Sequence, residues 1–141
     1  DLGSSPMGLP LLNARNGRRQ LSYIPDEPHQ AIAAELENGW TIIATHLSFI
    51  APVAIPQLSR LRLWAHHFGH RTVIMGDMNL TRFRIPLRPG WKSIVNESTY
   101  PSWRPLVQFD HILVRKGIDA SPLALPPSAI SDHLPTAATI P

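Results

Sequence analysis

Apolar residues along this chain recur at two periods, and the places where the period changes predict its elements. Trp40-Thr41-Ile42-Ile43-Ala44-Thr45-His46 is apolar through its middle, which suits a strand covered on both faces. Ala31–Glu37 precedes it, and the intervening Asn38-Gly39 predicts a type I′ hairpin, whose two central residues both need positive φ. After a loop over 47–55, Pro56 is placed as a first helical residue. From it Leu58, Leu61, Ala65 and Phe68 recur at helical spacing until Gly69 supplies the stop. A second buried strand, Thr72-Val73-Ile74-Met75, runs into Gly76-Asp77-Met78-Asn79. Residues 80–107 read as mostly irregular, and Gln108–Arg115 reads as a third strand carrying Asp110. After a proline-rich connection, Ser131-Asp132-His133 opens a last strand to Ile140. Residues 1–30, rich in Gly, Ser and Pro, read as an irregular segment with a truncated start, so order is expected from Ala31 onward.

Composition narrows the class. A chain of 141 residues makes one ordinary domain, and 43% hydrophobic with 16% charged residues describes a globular one. The lack of cysteine excludes disulfide staples, zinc-thiolate sites and thiol nucleophiles, and it permits a reducing cytosol. No apolar run approaches the roughly 18 residues that span a bilayer. The first residues lack the charged-then-apolar layout of a signal peptide. Fifteen prolines, about twice the usual ~5% share, argue against dominance by long helices. The net charge is +3, and eleven of the thirteen basic residues are arginine, whose planar fork suits phosphate.

Each of the four main strands places a chemically competent residue near one end: His46, then Asp77 with Asn79, then Asp110, then Asp132-His133. If neighbouring strands run antiparallel, these ends gather on one rim, where exposed loops are held by rigid strands. The residue types suit phosphate-ester hydrolysis. Asp132 offers oxygen to a hard cation. Asp77 can orient and deprotonate a water. Asn79 can donate to a phosphoryl oxygen without adding repulsive charge. His133, paired with Asp110, can be held as imidazolium and stabilise charge on phosphoryl oxygens. Each motif alone also has a plain reading, as turn residues or as a structural ion pair.

In this order, Thr45-His46-Leu47, Gly76-Asp77-Met78-Asn79, Phe109-Asp110-His111-Ile112 and Ser131-Asp132-His133 resemble the endonuclease/exonuclease/phosphatase superfamily of DNase-like metal-dependent phosphoesterases. Thr99-Tyr100-Pro101-Ser102-Trp103-Arg104-Pro105 also resembles bacterial members. The resemblance implies an α/β fold, half of a four-layered sandwich with a mixed, largely antiparallel sheet. It assigns Asp77 to the attacking water, Asn79 and His133 to the phosphate, Asp110 to orienting His133, and His46 to the neighbourhood of the scissile phosphate. Asp132 becomes a metal-associated aspartate, the metal being magnesium, with manganese as the alternative. The resemblance covers residues 31–141 as the C-terminal half of the family domain. A missing N-terminal half is then expected to supply an Asn and a metal-binding Glu.

Arg82, Arg84, Arg88 and Arg104, with Trp91 and Trp103 between them, read either as a groove for a phosphate backbone or as a solvated basic loop anchored by tryptophans. Arg82 and Arg104 are the expected substrate contacts, and nucleic acid is a plausible substrate. His66 and His70 are four apart on the helix but lack a third ligand, and Trp64 reads as core. His111 points to the face of its strand opposite Asp110 and stays outside the site. The expected function is metal-dependent hydrolysis of a phosphate ester by water attack on phosphorus. The alternative is a catalytically incomplete half-domain that only binds a phosphate-rich ligand or a partner.

Overall fold

The computed structural model describes residues 12–14, 19–23, 30–86, 89–128 and 130–141. Seven strands form one sheet: β1 (Leu12–Ala14), β2 (Arg19–Tyr23), β3 (Gln30–Glu35), β4 (Thr41–His46), β5 (Thr72–Asp77), β6 (Trp91–Ser93) and β7 (Asp110–Arg115). Their spatial order is β1-β2-β3-β4-β5-β7-β6. Among the described strands only the β4–β5 pair is parallel, and the helix α1 (Ala51–Ala65) makes the crossover that a parallel pair requires. Two further strands, β8 (Ser121–Leu123) and β9 (Ala137–Thr139), pair in a small separate sheet. The result is the expected α/β architecture with a mixed, largely antiparallel sheet.

Helix α1 packs Ala54, Leu58, Leu61, Trp64 and Ala65 against Ala31, Ala33, Ile43, Ile74 and Leu113 on one face of the sheet. Each fully buried Leu or Ile there contributes roughly 1.5–3 kcal/mol. The opposite face gathers Val73, Ile112, Val114 and Trp40, with Ala138 and Ile140 packed on them. The Trp40 indole donates to the Pro141 carbonyl at 3.0 Å, pinning the end of the chain there. Two polar groups tie α1 to the segments that follow the central strands: Gln57 Oε1 accepts from the Ser48 amide at 2.9 Å, and Arg62 donates to the Pro86 carbonyl. None of the described helices is long and apolar enough to cross a membrane.

The structure differs from the sequence expectations in several places. Residues 12–14 and 19–23, expected to be irregular, are strands; segments this short are ordered by antiparallel pairing, β1 with β2 and β2 with β3, more than by their own pattern. Asn16-Gly17-Arg18 lies outside the described residues. The β3–β4 turn is not type I′, because Gly39 has positive φ (83°) and Asn38 does not. Gly39 N donates to Leu36 O and Leu36 N to Trp40 O, a three-residue loop closed by a left-handed glycine. Helix α1 begins at Ala51, with Pro52 in its first turn, and Pro56 sits inside it on an exposed side. A 3-10 turn, His66–Phe68, then leads to Gly69, the expected stop. Ser131-Asp132-His133 is a loop, and the last strand begins only at Ala137 in the separate sheet.

The parallel pairing brings β4 and β5 to their C-terminal ends together. Gly76 stands opposite Thr45 with φ 137°, and a Cβ built on it would lie 1.9 Å from the Thr45 carbonyl oxygen. Gly69 also has positive φ (81°), but open space surrounds the position of its missing Cβ. Gly76→Ala should therefore destabilise the fold by at least about 2 kcal/mol in urea unfolding, and Gly69→Ala by only about 1 kcal/mol. Equal losses for the two variants would contradict this close approach.

Candidate active site

The site is assembled by strand register. His46 pairs with Asp77 at the end of β4–β5, and Asp77 pairs with Asp110 at the start of β7, so three strands present these side chains at one level. The loop bearing His133 arrives from elsewhere and is fastened to the 99–102 segment. The Ser102 amide donates to the Asp132 carbonyl (2.7 Å), the Ser102 hydroxyl to the Ser131 carbonyl (2.7 Å), and Leu134 N to the Thr99 carbonyl (2.8 Å). Thr99 Oγ1 in turn accepts from the amides of Phe109 and Asp110 at 3.3 and 3.4 Å. Backbone bonds from Leu47 N to Asp77 O and from Met78 N to Phe109 O close the rim, each at 2.9 Å.

His133 is the centre of the cluster. Its Nδ1 lies 2.7 Å from Asp110 Oδ2, and its Nε2 lies 3.9 Å from Asp77 Oδ2. His46 Nε2 approaches the same Asp77 oxygen at 3.5 Å. The ring of Tyr100 packs on the imidazole with centroids 5.0 Å apart. Burial pulls the His133 pKa down, but the Asp110 hydrogen bond and the charges of Asp110, Asp77 and Asp132 outweigh it, and the net value is raised. The Asp77 carboxyl is also raised, by burial first and by Asp110, against the lowering effects of the Asn79 amide, His133 and His46. A carboxylate that holds its proton more readily, beside an imidazole that keeps its charge, is a base–cation pair.

Asn79 adopts left-handed φ (50°), its amide donating to Asp77 Oδ1 and its Nδ2 to the Leu47 carbonyl, both at 2.9 Å. A cleft of about 880 Å³ contains His46, Asp77, Asn79, Asp110, Asp132 and His133 together, along with Phe49 and Arg84. Of the expected substrate contacts, neither Arg82 nor Arg104 lines this cleft. Arg82 lies over the Phe83 ring at 5.2 Å, and Arg104 is exposed on the turn beside the His133 loop. Trp91 is core, buried beneath the Arg115 guanidinium at 4.1 Å, whereas Trp103 is exposed. Arg88 lies outside the described residues. Sequence reasoning missed Phe49, 77% exposed at the cleft wall; its place three residues after His46, in a loop between two buried elements, was the available signal.

The resemblance implies a divalent cation. Asp77, Asp110 and Asp132 supply the oxygen donors such an ion prefers, yet among the described residues no three His, Asp or Glu side chains converge to hold one. The described residues therefore do not by themselves fit a metal centre, and the chemistry derived from them does not pass through one.

The Asp110–His133 pair has a pH signature. Because the folded value of His133 is raised above 6.5, its stabilisation is complete below that pH and is lost as pH rises through the folded value. NMR titration should find His133 above 6.5, and Asp110→Asn should move it down and flatten the loss of stability on the alkaline side. A His133 titration unchanged by Asp110→Asn would contradict the pairing.

Comparison with known proteins places the fold and the family. No curated protein matches the chain. A humanized D. rerio TDP2 carrying 14 mutations superposes with a TM-score of 0.61 at 14% identity, covering 83% of this chain and 63% of that one. An endonuclease/exonuclease/phosphatase family protein from Bacteroides thetaiotaomicron superposes with a TM-score of 0.57 at 12% identity, covering 86% of this chain and 54% of that one. The chain thus spans less than two thirds of the length of either structure, and the likeness is one of fold. The family model described as Endonuclease/Exonuclease/phosphatase family matches residues 10–133, the span that includes His46, Asp77, Asn79, Asp110 and His133, and the chain belongs to that family.

Proposed function

We propose that the chain hydrolyses a phosphate ester, a phosphodiester in particular, by attack of water on phosphorus at the β4–β5–β7 rim. The observation that carries this reading is the Asp77–His133–Asp110 cluster, with 3.9 and 2.7 Å between successive partners, open to a cleft that also holds Asn79 and Arg84. Asp77 accepts a hydrogen bond from the water and takes its proton as the new P–O bond forms. The bond to the leaving alkoxide breaks, and the proton goes to that oxygen, so a diester and water yield a monoester and an alcohol. His133 donates Nδ1–H to Asp110, which leaves its Nε2–H facing the cleft as a charged donor to a phosphoryl oxygen. Asn79 has one N–H committed to Leu47 and one remaining for the phosphate. His46 supports Asp77 from its other side.

Family membership supports the phosphoesterase class, and members are generally dependent on a divalent cation. Magnesium, or manganese in its place, with Asp132 among its ligands, belongs to this proposal; the other ligands would come from outside the described residues. Nucleic acid is the substrate we favour. Arg84 and the exposed Phe49 line the cleft, while Trp103 and Arg104 stand on the turn fastened to the His133 loop, the combination of cations and planar rings that suits a phosphate backbone with its bases. The lack of a three-ligand cluster among the described residues favours one second reading, a half-domain that binds phosphate without cutting it.

A single assay separates the two. Hydrolysis of bis(4-nitrophenyl) phosphate in magnesium buffer should fall by about 10²–10⁴-fold in Asp77→Asn, and by a similar factor in His133→Ala. Phe49→Ala and Arg84→Ala should raise KM severalfold with a smaller change in kcat. Wild-type turnover that Asp77→Asn leaves intact would overturn the catalytic assignment. Absence of turnover, with inorganic phosphate still shifting the His133 NMR signals, would favour the binding-only reading.

A further inference from the structure

His111 follows Asp110 on β7, is 1% exposed, and does not line the cleft, yet it is bonded to the turn that forms it. Its Nε2 lies 2.7 Å from the Leu80 carbonyl oxygen, which can only accept, so Nε2 carries a proton. Its Nδ1 faces Gln108 Nε2 at 3.3 Å. That amide nitrogen also faces the carbonyls of Val95 (2.8 Å) and Asp110 (3.2 Å), two acceptors that fix nitrogen rather than oxygen at this position. Nδ1 therefore faces a nitrogen that cannot accept, so it carries no proton, and the ring is a neutral Nε2–H imidazole. A second ring proton would meet an N–H donor in a site closed to water. Burial agrees, lowering the His111 pKa against the raising effects of Leu80, Asp110 and Asp77.

The residue held by this bond immediately follows Asn79. Asn79 is the only non-glycine residue with positive φ among those described, a conformation that needs support from its surroundings. On the cleft side it is supported by Asp77 and Leu47. On the interior side the support is His111: Leu80 is fully buried, so its carbonyl has no access to water as an alternative partner. The imidazole thus joins the start of β7, where Asp110 holds His133, to the exit of the turn where Asp77 and Asn79 stand.

We propose that His111 is a positioning residue for this site. Its buried Nε2–H clamps the Leu80 carbonyl and holds the left-handed Asn79 turn, and with it Asp77, in register with the Asp110–His133 pair. The catalytic consequence rests on the hydrolase reading above; the structural clamp does not.

The test compares His111→Phe, which keeps a ring and removes both nitrogens, with His111→Gln, which can return an N–H to Leu80. Leu61→Ala on α1 serves as a core control, and all measurements are made below the melting range of every variant. In His111→Phe, amide exchange at Asn79 should quicken by about tenfold or more, and the Nδ1–H resonance of His133 should shift. Its kcat on bis(4-nitrophenyl) phosphate should fall about 10–100-fold with KM within about threefold, and His111→Gln should recover most of both signals. Leu61→Ala should lower stability without moving either. Wild-type exchange at Asn79 in His111→Phe, or the same response there as in Leu61→Ala, would overturn the proposal. If wild type does not turn over the ester, the hydrolase reading fails while Asn79 exchange still decides the clamp. If His111→Phe does not fold, the ¹⁵N signature of His111 in wild type decides: Nε2–H is required, and Nδ1–H or imidazolium would overturn it.

Discussion

The site depends on a shared stopping point. β4 and β5 run parallel and end at the same level, and antiparallel β7 starts there, so His46, Asp77 and Asp110 stand side by side because of backbone pairing alone. A slip of one residue in any of these strands would turn its side chain to the other face of the sheet. Register is protected on both faces, by α1 over Ile43, Ile74 and Leu113, and by the cluster of Val73, Ile112 and Val114 on the other side. Gly76 is part of the same constraint, since only a residue without Cβ lets β5 approach Thr45 as closely as it does. Hydrophobic burial, which has no direction of its own, is converted by the ladder into a directional arrangement of three polar groups.

Electrostatics then differentiates groups that the register merely collects. Asp77 and Asp110 are neighbours of the same chemical type with different roles. Asp110 is hydrogen-bonded to His133, while Asp77, half-buried and facing Asp110, holds its proton more readily than an ordinary carboxyl. The pair of like charges is tolerated because His133 sits against both, and its raised pKa is the reciprocal of that tolerance. The two histidines at the start of β7 and in the 131–133 loop diverge for the same kind of reason. His133 faces carboxylates and favours charge, whereas His111 faces a carbonyl and an amide N–H and is neutral.

Much of this was legible in the amino-acid sequence. The buried strands at 40–46, 72–75 and 108–115 announce themselves by apolar runs, and each ends or begins at a residue that the structure brings to the rim. The gathering occurs by a different route from the one anticipated, because β4 and β5 are parallel and share C-terminal ends. β1 and β2 were not legible, since Leu12–Ala14 and Arg19–Tyr23 are too short for their alternation to stand out in a Gly- and Pro-rich segment, and their order comes from antiparallel pairing of β1 with β2 and of β2 with β3. The start of α1 was misplaced because Pro56 was read as an N-terminal signal when Pro52 holds that position. Among the arginines, the one that lines the cleft is Arg84, two residues from Arg82; spacing in an irregular segment carries no period from which to tell them apart. Trp91 and Trp103 look alike in sequence, and only the end of a strand beneath Arg115 makes the first a core residue.

The account stands on water attacking phosphorus at this rim, and the most direct measurement is a single-turnover hydrolysis of a phosphodiester in H₂¹⁸O with mass analysis of both products. One ¹⁸O in the phosphate monoester and none in the alcohol is the predicted result. Label in the alcohol, or no hydrolysis by the wild-type chain, would contradict it.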